Sequence, residues 1–180
     1  MNASDRGHIN PELKCQASEL VSYARRYQYP IEEAKLVALR PRILNRGWML
    51  KEELRSLAHW KAPRSAKRME TNPDEYIKDI TALAFGAATE RTRIEVLTVL
   101  DGVQWPTASV ILHLFHRQPY PIIDFRALWS VSLPEPKQYT FDFWWTYVEF
   151  CRTLANRLGL DMRTLDKALW QYSKEHQPTT

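Results

Sequence analysis

The segment 105–115, "WPTASVILHLF", constrains the fold most, because it is apolar around nearly its whole helical circumference. Ile111 and Phe115 would line one face of a helix, while Val110 and Leu114 lie off that face. A helix without a polar face has to be covered on every side by other elements. We therefore expect this segment to form a buried central helix.

Helical spacing of apolar residues recurs along the rest of the chain, and no convincing set of strands is present. Pro63 should break or start a helix and leave a basic loop around Lys61 and Arg64. We predict a single all-α domain over residues 1–180, with eight to ten helices; two lobes with a cleft between them are the alternative. Caps and prolines predict helix starts at Asn10–Pro11, Pro30, Asn72–Pro73, Thr89, Asp124 and Asp161, an interruption at Pro41, and ends at Gly47 and Gly159.

The composition is that of a globular protein, with 44% hydrophobic and 26% charged residues. No apolar run approaches the roughly 18 residues of a membrane span, and the first ten residues lack the apolar core of a signal peptide. We therefore expect a cytoplasmic protein without a membrane partner. Cys15 and Cys151 are the only cysteines, so they cannot supply the four thiolates of an iron–sulfur cluster or a zinc site, and we expect free thiols.

Basic residues are concentrated in one stretch, although the net charge of the whole chain is only +4. Residues 34–70 hold ten Lys or Arg and three acidic residues. Such an excess suits a polyanion, and a solvated helical face explains it as well. Most of the excess comes from Arg40, Arg42, Arg46, Lys51, Arg55, Lys61, Arg64, Lys67 and Arg68.

A glycine turn separates the central helix from the apolar segment before it, in "LDGVQWPTA" at residues 100–108. A glycine here can turn backbone N–H groups outward at the start of the second helix, where the helix dipole favours a phosphate. An ordinary corner between two helices has the same outline. The glycine turn alone does not distinguish a phosphate-binding turn from an ordinary corner between helices.

The segment "YPIID" follows the central helix and places Asp124 16 residues after Ala108. Over residues 97–129 the chain resembles the HhH-GPD superfamily of DNA glycosylases. The family pattern is Leu-Pro-Gly-Val-Gly-x-Lys/Ser-Thr-Ala, an apolar helix, and then Pro-Val-Asp. The resemblance implies an HhH-GPD-like fold with a helix-hairpin-helix at residues 90–117. It also implies that Asp124 is the catalytic aspartate and that Gly102 and Gln104 contact the DNA backbone.

Two departures from the family pattern affect what the resemblance implies. Pro106 stands where bifunctional members carry the Schiff-base lysine, so lysine-dependent AP lyase activity is not expected. Asp101 replaces the usual proline and adds a negative charge near the phosphate position. The resemblance thus implies a monofunctional, monomeric glycosylase that flips a base from double-stranded DNA and hydrolyses its N-glycosidic bond, leaving an abasic site. No cofactor is expected, apart from a monovalent cation that the hairpin could hold.

The base pocket needs aromatic walls, and seven tryptophans are available. Trp105 and Trp60 are our candidates for the pocket walls, and a core position is the alternative for Trp105. Helical spacing assigns four others to the core: Trp129, Trp144, Trp145 and Trp170. Phosphate contacts are expected from Lys61, Arg64 and Lys67, with the "APRS" loop as a wedge into the duplex.

Several candidate residues keep a second interpretation. Asp124 is also a good helix N-cap before "FRALW". His113 and His116 share a helical face without a third ligand, so we assign them to packing or surface. Glu95 is either a second acid near the hairpin or part of an exposed face.

Three functions remain open at this point. The first is a monofunctional glycosylase for an alkylated, deaminated or hypermodified base, in repair or in defence against viral DNA. The second is a non-enzymatic helix-hairpin-helix protein that binds DNA. The third is an all-α domain for protein interactions.

Overall fold

The computed structural model of the protein describes residues 10–28 and 31–178. Across these residues the chain is all-helical, as predicted, and contains no β-strand. Two short 3-10 segments, Ala17–Glu19 and Val96–Val99, accompany the α-helices. The helices are α1 (Leu20–Arg26), α2 (Ile31–Arg46), α3 (Lys51–Lys61), α4 (Pro63–Met69), α5 (Asp74–Gly86), α6 (Glu90–Glu95), α7 (Trp105–Phe115), α8 (Phe125–Ser130), α9 (Phe141–Leu158) and α10 (Met162–His176).

The helices belong to two compact units. The terminal unit contains the described residues up to Tyr27 together with those from Asp124 onward, and the central unit runs from Gln28 to Ile123. In the terminal unit, α10 packs against α1, α8 and α9. In the central unit, α7 packs against α2, α6 and the second 3-10 segment. Among the described helices, none has the length and apolar character needed to cross a membrane.

Helix α7 is the buried centre of the central unit, which confirms the prediction from its sequence. Val110, Ile111, Leu112 and Phe115 are completely buried. Its C-terminal carbonyl groups, which have no partner within the helix, receive hydrogen bonds from the Arg40 guanidinium on α2. Arg40 donates to the carbonyl oxygens of residues 113, 114 and 116, so this arginine caps a helix instead of contributing to a basic surface.

Two predicted helix boundaries at prolines are wrong. The segment after Asn10–Pro11 is not helical before residue 17, because the Glu12 and Lys14 amides donate to carbonyls at residues 131 and 130, at 2.9 and 3.0 Å. Pro41 does not interrupt α2; it is exposed on the helix surface, where water can bond the carbonyl that its missing N–H leaves open. The start predicted at Pro30 lies outside the described residues.

The structure also corrects the region between α3 and α5. Pro63 begins α4 after a single non-helical residue, so the predicted basic loop is a helix, which proline favours at its first position. Asn72 does not cap α5; its side chain bonds the backbone of Asp101 instead. The ends at Gly47 and Gly159 are confirmed, both with positive φ, and so are the caps Thr89 and Asp161.

The glycine turn before α7 is held by the corner between α4 and α5. The Asn72 side chain accepts a hydrogen bond from the Asp101 N–H at 2.8 Å and donates to its carbonyl at 3.0 Å. Gly102 is buried with φ +78°. A Cβ atom added there would lie 2.9 Å from the Ser65 carbonyl oxygen and 3.0 Å from the Met69 nitrogen. The turn therefore needs glycine both for its backbone conformation and for close packing against α4.

Gly102→Ala should destabilise the protein more than Gly47→Ala, although both glycines have positive φ. Gly47, at +82°, has open space around its Cβ position, so alanine there should cost only the conformational strain of about 1–2 kcal/mol. At Gly102 the backbone clash with α4 adds to that strain, and we expect roughly 3 kcal/mol or more in total. Chemical denaturation of both variants measures the difference. Equal losses would show that α4 does not restrict the turn.

Candidate active site

Asp124 begins α8, and the backbone holds its carboxylate in place. Its Oδ1 atom accepts a hydrogen bond from the Arg126 N–H at 2.9 Å, and its carbonyl oxygen accepts one from the Leu128 N–H at 2.9 Å. This confirms the N-cap interpretation, and the half-buried side chain remains accessible. A capping carboxylate is fixed in orientation by its hydrogen bond to the backbone.

The chain that leads to Asp124 runs back along α7. The His113 Nδ1–H donates to the Tyr120 carbonyl oxygen at 2.6 Å, and the Ile123 N–H donates to the Ser109 hydroxyl at 2.9 Å. Tyr120, Pro121, Ile122 and Ile123 are all buried. Ser109 lies in the second turn of α7, so the loop returns Ile123 to the N-terminal half of this helix, and Asp124 is the next residue.

Three tyrosine side chains of the terminal unit lie within electrostatic range of Asp124. Burial raises the pKa of Tyr139 to about 12, and the charges of Glu135 and Asp124 add to this effect. Burial also raises the pKa of the completely buried Tyr147 well above its ordinary value, with smaller contributions from neighbouring acidic groups that include Asp124. The pKa of Tyr27 is also raised above its ordinary value, and burial is the main cause. All three phenols are therefore protonated at neutral pH and able to donate hydrogen bonds.

A second carboxylate of the terminal unit lies near two of the same tyrosines. Asp166 on α10 is buried and accepts a hydrogen bond from Arg163 Nη1 at 2.7 Å. Its charge acts on Tyr27 and Tyr147, as the charge of Asp124 does. The arrangement combines two carboxylates, one guanidinium and neutral phenols, which can stabilise a cationic group and orient a polar ligand.

The hairpin residues lie in the central unit around the start of α7. Gln104 is the exposed N-cap of α7, and its side chain makes no capping bond. Trp105 and Pro106 occupy the first two helical positions, and both are half-buried. Asp101 is exposed, and its carboxylate accepts a hydrogen bond from the Thr71 hydroxyl at 3.0 Å. Helix α6, the glycine turn and helix α7 thus follow one another in the predicted order. Gly102 itself is buried.

The basic stretch divides into two groups in the structure. Three cations of the stretch form ion pairs: Arg46 with Glu53, Lys51 with Asp74 at 3.5 Å, and Arg55 with Glu70 at 3.2 Å. Arg40 caps α7. These four cations therefore serve intramolecular contacts. The exposed α4 residues Arg64, Lys67 and Arg68 form the second group, and Lys61 is half-buried at the end of α3. Because Ser65 and Met69 of α4 pack on the glycine turn, α4, the helix that carries Arg64 and Lys67, lies beside the hairpin.

The tryptophans differ from the predicted core set. Only Trp144 is completely buried. Trp129, Trp145 and Trp170 are half-buried, and each has a cation beside its ring. The Lys14 ammonium lies 3.8 Å from the centroid of the Trp129 ring. The core prediction is therefore wrong for these three, because an indole ring can bury one face and leave the other to a cation. Trp60, at the end of α3, is half-buried.

Two further predicted candidates have local partners. His116 is buried, and its Nδ1 atom accepts a hydrogen bond from the Gln118 N–H at 3.0 Å. Glu95 forms an ion pair with Arg91 at 3.2 Å on the surface of α6. Both are accounted for by local structure.

Sequence reasoning did not single out the ionisable residues of the terminal unit described above. Tyr27, Tyr139, Tyr147 and the Arg163–Asp166 pair come from four separate parts of the chain, and no local spacing connects them. The only available signal was the i, i+3 spacing of Arg163 and Asp166, which allows an ion pair on any helix.

Comparison with known proteins does not assign the chain to a family. No protein-family model, curated protein or solved structure matches the chain. Function therefore has to be argued from the residues and their geometry.

Replacing Asp124 should separate its capping role from its charge. Asp124→Ala removes the acceptor for the Arg126 N–H and should reduce the free energy of unfolding by about 1 kcal/mol, whereas Asp124→Asn, which can still accept this bond, should change it by only a few tenths. Thermal and chemical unfolding of both variants test this. A loss in Asp124→Asn as large as in Asp124→Ala would show that the charge, and not the cap, stabilises the fold.

Proposed function

We propose that this protein is a monofunctional DNA glycosylase, in which the carboxylate of Asp124 assists hydrolysis of the N-glycosidic bond of a flipped base. The observation that carries the proposal is the fixed position of this carboxylate. It caps α8 directly after a buried loop that is hydrogen-bonded back to α7, the helix that follows the glycine turn. The resemblance to the HhH-GPD family supports the proposal, because it assigns catalysis to Asp124.

The chemistry requires an anion beside the sugar. Cleavage of the glycosidic bond leaves positive charge on the sugar ring, and a fixed carboxylate stabilises that charge and can accept a proton from the attacking water. Asp124 supplies this group. Pro106 offers no amine, so the product expected is an abasic site without strand cleavage.

DNA binding is assigned to the face formed by α4 and the glycine turn. Arg64 and Lys67 are exposed on α4, and α4 contacts the glycine turn through Ser65 and Met69. In our proposal the two cations contact phosphates beside the hairpin, while the N-terminus of α7 adds its dipole. Contacts of this kind hold the duplex without reading its sequence. The side chain of Gln104, exposed at the N-cap, is available to the same strand.

A non-enzymatic DNA-binding protein is the second candidate, and one observation favours it. The basic face of α4 and the turn lie entirely within the central unit, so DNA binding does not depend on Asp124. This candidate predicts salt-sensitive duplex binding without release of any base.

Asp124→Asn should abolish base release while DNA binding stays within about twofold of wild type. The asparagine keeps the cap but removes the negative charge. The assay incubates the protein with duplexes that carry alkylated, deaminated or hypermodified bases and reveals abasic sites with alkali. Asp161→Asn is the matched control, because Asp161 is also an N-cap, on α10, and should leave release unchanged. Release that persists in Asp124→Asn would refute the mechanism, and the absence of release from every duplex would favour the binding-only candidate.

The double variant Arg64→Gln/Lys67→Gln should weaken duplex binding and make it less sensitive to salt. Each lost phosphate contact lowers the slope of log K against log salt by about 0.9, so the double variant should lose roughly 1.8. Fluorescence anisotropy over a range of salt concentrations measures this slope. Lys35→Gln/Lys137→Gln removes two exposed cations outside α4 and the hairpin and should retain the wild-type slope. An unchanged slope in the α4 variant would place the DNA on another surface.

A further inference from the structure

The central unit contains a cavity that the proposed function does not use. It has a volume of about 520 Å³ and lies among α2, α5, α7 and the segment that follows α7, a size typical of sites for small organic ligands. Its apolar walls include Phe85, Phe115 and Ile43, and its polar lining includes Arg93, Arg117 and Gln118. Among the described residues that line it, none is acidic.

The strongest polar feature of this cavity is the guanidinium of Arg93, which is 7% exposed. It donates through Nη1 to the Tyr120 hydroxyl at 2.7 Å and through Nη2 to the Ala87 carbonyl oxygen. The Nε atom is buried and has no hydrogen-bond partner in the structure. A buried donor without a partner is costly, so the Arg93 guanidinium would gain a hydrogen bond by shifting toward an acceptor bound in the cavity.

The charges around the cavity indicate what such an acceptor would carry. Glu90 lies 2.9 Å from Arg93 and balances its positive charge. Arg117, whose Nη2 donates to the Leu44 carbonyl oxygen at 3.1 Å, has no ion pair with any described residue. Burial and the adjacent Arg93 keep the pKa of His116 below its ordinary value, so this imidazole adds no charge at neutral pH. The cavity therefore carries about one uncompensated positive charge.

We propose that this cavity binds a small organic monoanion, a carboxylate on a flat apolar body, held by Arg93 and Arg117 against the ring of Phe85. A guanidinium suits a carboxylate because its N–H groups match the two oxygens. The single positive charge favours a carboxylate over a dianionic phosphate ester. The aromatic and aliphatic walls favour an apolar body over a sugar. This site is independent of Asp124 and of DNA.

The test uses 3-phenylpropanoate as the probe, with 3-phenylpropanamide and phenyl phosphate as comparisons, in titrations followed by calorimetry or NMR. We expect saturable binding of the carboxylate, and at least tenfold weaker binding of the amide and of the phosphate ester. Arg117→Gln should weaken carboxylate binding about tenfold, the size of effect expected when a charged hydrogen-bond donor is lost. Arg117 is exposed, so this variant should fold normally, which its thermal unfolding verifies.

Two further variants complete the experiment. Ala82→Leu adds volume to a residue of the lining and should weaken binding of both the carboxylate and the amide, whereas Arg91→Gln, outside the cavity, should bind like wild type. Asp124→Asn should bind the probe unchanged, so failure of the glycosylase proposal and failure of this one can be distinguished. The proposal is overturned if no probe binds saturably, if the amide or phenyl phosphate binds as tightly as the carboxylate, or if Arg117→Gln binds like wild type.

Discussion

The burial of α7 is the constraint on which the central unit depends. Complete burial of a Val, Leu or Ile side chain contributes on the order of 1.5–3 kcal/mol, and α7 has several such side chains with no exposed surface. A helix buried in this way also has to satisfy its terminal backbone groups inside the protein. Arg40 does so at the C-terminus, and the loop that follows is fixed to the helix through His113 and Ser109. The position of Ile123 follows from these bonds.

The turn before α7 shows how one glycine can satisfy two interpretations. Gly102 is required by its positive φ and by the closeness of α4, which is a sufficient structural reason for its presence. The same packing places α4, a helix with exposed cations, beside the turn, and a phosphate-binding face requires such cations. Asp101, the residue least favourable to phosphate, bonds Thr71 and Asn72. The structure of the turn is therefore compatible with an ordinary helical corner and with a DNA-binding hairpin. The salt dependence of duplex binding distinguishes these two interpretations.

Local rules predicted the helices well wherever the deciding interaction was local. Thr89, Asp124 and Asp161 cap their helices through bonds to residues two or three positions ahead, and this geometry can be inferred from sequence. The predictions were wrong where a residue forms a hydrogen bond to a partner far away in the sequence. Asn72 bonds a residue 29 positions away, and the Glu12 and Lys14 amides bond carbonyls near residue 130. Propensity cannot foresee such bonds, because their partners become neighbours only after folding.

The sequence by itself determined the all-helical class, the buried central helix, the glycine turn and the cap at Asp124, since each depends on periodicity or on residues within one helical turn. Only the tertiary structure decided which cations are engaged within the fold, which tyrosines lie within electrostatic range of Asp124, and that an arginine-lined cavity lies beside α7. These features combine side chains from distant parts of the chain. Their burial and electrostatic environment exist only once the helices have packed.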